Sequence, residues 1–225
     1  PVRSRPGMLL KLENEPIVDF IDAEIRRQWV DHRIVPSPVA DDQEWFRRIH
    51  LDIVGHIPTL AETEAFLAET SEKKRKDCLE KLLRSMDYAR NWGSIWTNLL
   101  IGRRTPDRID RKGLRKFLED SFASNVPWHE LVAKLISAEG SQRTNGAVNF
   151  LMAHLNEGGV PATSMTAKLF LGTQLQCTQC HNHPFNDWKQ NQFWELNSFF
   201  QQTAVERKPS ADGTTPGQAL ERYLT

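Results

Sequence analysis

Residues 87–102, DYARNWGSIWTNLLIG, decide the fold. Trp92, Ile95, Trp96, Leu99 and Leu100 recur at steps of three and four, which places them on one face of an α-helix. Gly102 stops that helix. The same period extends upstream. Pro16 opens a helix with Ile17, Phe20, Ile21, Ile25 and Trp29 on one side, predicted to end near Val35 before Pro36 and Pro38. Asp41 and Asp42 are N-cap candidates for a second helix through Trp45, Phe46, Ile49 and Ile53, which Gly55 and Pro58 end. Thr59 with Glu62 forms a capping-box pattern for a short third. A fourth begins near Ser71 and carries Leu79, Leu82 and Leu83.

Downstream, helices are predicted at Asp110–Ser124, Pro127–Glu139 and Asp187–Gln202. Residues 103–111 and 140–146 read as loops. Val148–Leu155 is a short apolar segment, closed by Gly158-Gly159. Pro161 opens a helix expected to run on into residues 177–181, and Asn182–Asn186 is a turn. No strand alternation is long enough for a sheet, and no repeat is evident. The predicted fold is therefore all-α, a single orthogonal multi-helix domain over residues 16–204. Residues 1–15 form an N-terminal extension. Residues 205–225, rich in Lys, Pro, Ser, Gly and Thr, form a linker or the start of a further domain.

The chain has 225 residues, enough to bury a core without staples. Lys+Arg and Asp+Glu are each 29, so the formal net charge is zero. That balance argues against nucleic acid as a partner, since such surfaces carry a cationic excess. No run of 18 apolar residues spans a bilayer. Residues 1–11 lack the apolar centre of a signal peptide. The opening Pro1 reads as the start of a processed or excised piece, and an export signal or anchor is expected ahead of it.

Three cysteines, Cys78, Cys177 and Cys180, make no disulfide framework. Two stand in Cys177-Thr178-Gln179-Cys180-His181, the order of a c-type haem attachment sequence. Two thiols three residues apart can each form a thioether, and the His that follows reaches the iron as axial ligand. Zinc is the alternative, because His183 and Asp187 extend the string to Cys-x-x-Cys-His-x-His-x-x-x-Asp. A second ligand pair at finger spacing is lacking, since only Cys78 remains upstream. No Met or His follows His183, so a distal iron ligand must come from upstream. His154 and Met152 are the nearest candidates, with Met165, His50 and His56 beyond them. On a helix, Met152 and His154 point roughly 200° apart, so only one can face a haem. His154 is preferred, because imidazole is the commoner metal donor.

Leu171-Gly172 followed by Gln176-Cys177-Thr178-Gln179-Cys180-His181-Asn182-His183-Pro184-Phe185 resembles the planctomycete-type cytochrome-c-like domain of large secreted proteins. Arg47-Arg48, Leu51-Asp52, Gly55, Ile57-Pro58-Thr59, Phe66-Leu67, Trp92-Gly93 and Trp96 resemble its N-terminal half. The resemblance covers about residues 16–203. It implies Cys177 and Cys180 as thioether donors and His181 as axial ligand. His183 matches the string without a defined role. It also implies an exported multidomain protein with a second cytochrome domain or a further C-terminal domain beyond the linker.

The residues and the resemblance together predict a periplasmic or extracellular electron-transfer domain. Its partner would be a redox protein or an adjacent cytochrome domain within a larger assembly. An open-coordination haem enzyme using His183 or Asp187, and a zinc-binding structural or interaction module, are the alternatives.

Overall fold

The computed structural model describes residues 17–104, 109–209 and 220–224. Among these the fold is all-α, as the spacing predicts. Ten helices follow in order: α1 (Ile17–Asp31), α2 (Asp42–Val54), α3 (Leu60–Ala68), α4 (Lys74–Leu83), α5 (Met86–Ile101), α6 (Arg111–Ala123), α7 (Trp128–Ile136), α8 (Val148–His154), α9 (Val160–Phe170) and α10 (Gln190–Gln201). No helix among the described residues is long and apolar enough to cross a membrane.

The chain divides into two compact units, residues 1–42 and 43–225. In the first, α1 carries ion pairs one turn apart, Arg27–Asp31 at 2.8 Å and Arg26–Asp22 at 3.6 Å.

The second unit holds the main core. Leu100 of α5, Leu114 and Leu118 of α6, Leu131 and Leu135 of α7, and Val148 and Phe150 of α8 are removed from solvent. Each such side chain contributes roughly 1.5–3 kcal/mol by burial. Side-chain caps fix the helix starts. Thr59 and Glu62 form the predicted capping box on α3, and Ser85 Oγ accepts from the Tyr88 amide on α5 at 3.1 Å. Asp110 caps α6 through the Gly113 amide at 2.9 Å. Buried Asn149 joins that cap to α8: its Oδ1 accepts from the Asp110 amide at 2.9 Å, and its Nδ2 donates to Gly146 O at 3.1 Å.

A smaller cluster of Ala167, Leu175 and Phe193 lies between α9 and α10, flanked by Val160, Trp188 and Leu196. Asn197 reinforces it, accepting from Thr163 Oγ1 at 2.7 Å and donating to Gly158 O at 3.1 Å. Gly159 opens α9 at φ 79°, where a Cβ would fall 2.9 Å from that of Phe200. Only glycine meets both demands.

Two sequence expectations are corrected. α9 does not continue into residues 177–181; it ends at Phe170, and residues 176–179 form a 3-10 turn. The cause is Gly172 at φ 65°, with the Ala167 carbonyl accepting from both the Leu171 and Thr173 amides at 3.1 Å. A small antiparallel sheet also exists where none was expected. It comprises β1 (Gly140–Ser141), β2 (Val205–Pro209) and β3 (Leu220–Leu224), in the order β1-β3-β2. Gly140 pairs with Leu224, and Val205 pairs with Leu224 on the other side. Gly140 and Leu224 are too far apart in the chain for local periodicity to reveal.

Candidate functional site

The Cys-x-x-Cys-His string sits on the 3-10 turn between α9 and α10. Thr178, its second residue, is fully buried, and both its amide (2.9 Å) and its Oγ1 (2.6 Å) donate to the Leu175 carbonyl. Leu175 is in turn anchored in the cluster with Phe193. With Thr178 facing inward, Cys177 and Cys180 on either side of it are exposed, and both thiols are free.

The start of α10 clamps the turn. Gln190 Nε2 and Trp194 Nε1 both donate to Gln179 O, at 3.1 and 3.2 Å, and the Gln190 amide donates to Asn182 Oδ1 at 3.1 Å. Downstream, the His183 amide donates to Trp188 O at 2.8 Å. α10 starts at Gln190, not at Asp187, because the Lys189 amide is capped by Gln192 Oε1 at 2.8 Å.

The two histidines of the turn carry opposite tautomers. His181 Nδ1 lies 2.6 Å from the Asn182 carbonyl. A carbonyl only accepts, so Nδ1 bears the proton and the neutral ring keeps its lone pair on Nε2. His183 Nδ1 accepts from the Phe185 amide at 3.2 Å, so its neutral ring carries the proton on Nε2. In the neutral forms one imidazole offers an acceptor at its outer nitrogen, the other a donor. Beside them Phe185 is 93% exposed and Trp194 is 42% exposed.

The predicted upstream residues lie elsewhere. Met152 is buried in the main core, and Met165 packs against it. His154 packs its ring on Phe150 and donates from Nε2 to Leu100 O at 2.7 Å, while burial holds its pKa below the usual imidazole value. His56 donates to Ile57 O at 3.0 Å, and His50 is buried on α2. Asp187 is exposed. No group of three or more His, Cys, Asp or Glu among the described residues is arranged to hold a metal ion.

Sequence reasoning passed over the scaffold of the turn, namely Thr178, Asn182, Gln190 and Trp194. Thr178 served only as a spacer in the motif. A hydroxyl residue at that place, able to bond its own chain three residues back, was the available signal.

The family model PSCyt2, described as a protein of unknown function (DUF1549), matches residues 20–205. The chain belongs to this family, which bears out the family level of the resemblance. The match itself says nothing of haem. No curated protein and no solved structure matches the chain.

Proposed function

We propose that this chain binds haem c covalently and transfers electrons as part of an exported multidomain protein, in the periplasm or outside the cell. The observation that carries the reading is the tautomer of His181. Its outer nitrogen holds a lone pair immediately after two free, exposed thiols at thioether spacing.

A covalently held haem supplies one-electron chemistry at its iron. The rest falls to the chain. Cys177 and Cys180 Sγ would hold the haem as thioethers, and His181 Nε2, oriented by the bond of Nδ1 to Asn182 O, would ligate its iron. His183 Nε2–H is a hydrogen-bond donor suited to a carboxylate. Phe185 and Trp194 are exposed apolar surface for a flat apolar group to cover. The distal candidates carry specific demands. His154 can ligate only through Nδ1 while Nε2 stays on Leu100, and Met152 must leave its core position.

The test is an absorption spectrum of protein matured where haem is attached, followed by mass measurement after denaturation. A haem mass that survives denaturation, and is lost in the Cys177→Ser, Cys180→Ser double variant, is the expected result. Zinc without iron would replace the proposal by a zinc-binding module. A five-coordinate iron with ready carbon monoxide binding would favour an open-coordination haem enzyme. His154→Ala and Met152→Ala, each followed by ferric and ferrous spectra, then assign the sixth position. An unchanged spin state in both removes both candidates and points to a five-coordinate iron or a ligand from a partner domain.

A further inference from the structure

A cleft of about 540 Å³ lies among α2, α3 and α4, within the size range of small-molecule sites. Phe46, Phe66 and Leu82 are its buried apolar lining, and the Phe46 and Phe66 rings stack at 4.2 Å. His50 also lines it and is only 4% exposed. Its Nδ1 donates to Phe46 O at 2.9 Å, so the neutral ring keeps a lone pair on Nε2, and no donor among the described residues meets that nitrogen. The ring lines the cleft, so that acceptor is open to a donor from a ligand.

Two further groups in the cleft have unused bonding capacity. Glu62 accepts twice from Thr59 at Oε2, which leaves Oε1 without a donor. Those bonds, the hydroxyl's first, hold its carboxyl ionised below the usual range, and it lies within electrostatic reach of both His50 and Lys81. Lys81 also lines the cleft, and its ammonium makes no ion pair or hydrogen bond among the described residues. Lys74 is already engaged: its Nζ donates to Glu69 O at 2.9 Å and lies over the Phe66 ring.

We propose that this cleft binds a small zwitterion of the α-amino-acid class with an apolar side chain. Its ammonium donates to His50 Nε2 and Glu62 Oε1. Its carboxylate accepts from Lys81, and its side chain lies against Phe46, Phe66 and Leu82. This set pairs His50, Glu62 and Lys81 at once, which neither a simple amine nor a simple acid does.

Cys78 lines the same cleft and serves as reporter. The whole chain is treated with iodoacetamide, and alkylation of Cys78 is followed by peptide mass spectrometry with L-phenylalanine, phenethylamine or phenylacetate present. L-phenylalanine is expected to slow Cys78 several-fold and the other two much less, with Cys177 and Cys180 unaffected. Lys81→Met, on the exposed rim, should weaken L-phenylalanine about tenfold, the effect of one lost charge-assisted hydrogen bond, and leave phenethylamine unchanged. Glu62→Gln, which keeps a capping partner for Thr59, should weaken both. No protection by any of the three probes overturns the proposal. Equal protection by phenylacetate also overturns it, because the site would then be an anion site at Lys81 alone. So does a Lys81→Met variant that binds L-phenylalanine as well as the parent chain does.

Discussion

The α5–α8 core and the turn at residues 175–183 are stabilised in different ways. In the core, whole leucine and phenylalanine side chains leave water, and position follows from packing. In the turn, one threonine, one leucine and a handful of hydrogen bonds to α10 hold the chain, while the reactive groups face out. The first arrangement yields stability, and the second leaves two thiols and an imidazole open to solvent. Only two anchors, Leu175 and Thr178, tie the turn to the interior.

The contrast breaks most sharply in the core. Phe150→Ala or Leu114→Ala should lower unfolding free energy by about 3–5 kcal/mol, measured by denaturant titration. Phe193→Ala, in the smaller cluster, should cost about 3 kcal/mol or more. It should also speed hydrogen exchange at the Thr178 amide beyond the change at α6, because Leu175 loses its support. A uniform speed-up would mean that the two regions unfold as one. Thr178→Val removes the hydroxyl bond alone and should cost about 1 kcal/mol. Cys177→Ser should stay within about 0.5 kcal/mol of the parent, since its side chain is exposed.

Two titrations sharpen the same comparison. His154 has a folded pKa lowered by burial, so the unfolded chain takes the proton first as pH falls. Stability from this group is therefore intact above its unfolded pKa of about 6.5 and declines below it. His154→Gln, which keeps a donor for Leu100 O without titrating, should flatten that decline. Glu62 acts at lower pH. Its folded pKa is lowered by the Thr59 bonds, so its contribution is present above the usual carboxylate range and lost as pH falls through the depressed value. Thr59→Ala should reduce that acid-side loss and cost about 1 kcal/mol at neutral pH.

Much of the helical scaffold was legible because its cause is local. Leu114, Leu118, Leu131 and Leu135 announce their faces by spacing, and Asp110 and Thr59 announce their caps by type. Gly172 was equally visible as a stop, yet the helix was extended past it, because apolar residues on both sides continue the pattern. β3 was not legible as the middle of a sheet, because its partner Gly140 lies in a distant segment. In the site, the residue types and spacing of Cys177, Cys180 and His181 were plain. The tautomers of His181 and His183 were not, because they depend on which backbone atoms the turn brings to each ring. The α2–α4 cleft was invisible for a similar reason: His50, Glu62 and Cys78 come from three separate helices.

The inward set of Thr178 also bears on the order of events in the life of the chain. The side-chain hydrogen bonds that hold the turn use neither the Cys177 nor the Cys180 thiol, and neither residue belongs to the cluster beneath it. If haem is attached as proposed, both thiols already stand on the surface of the folded chain, so attachment does not have to precede folding.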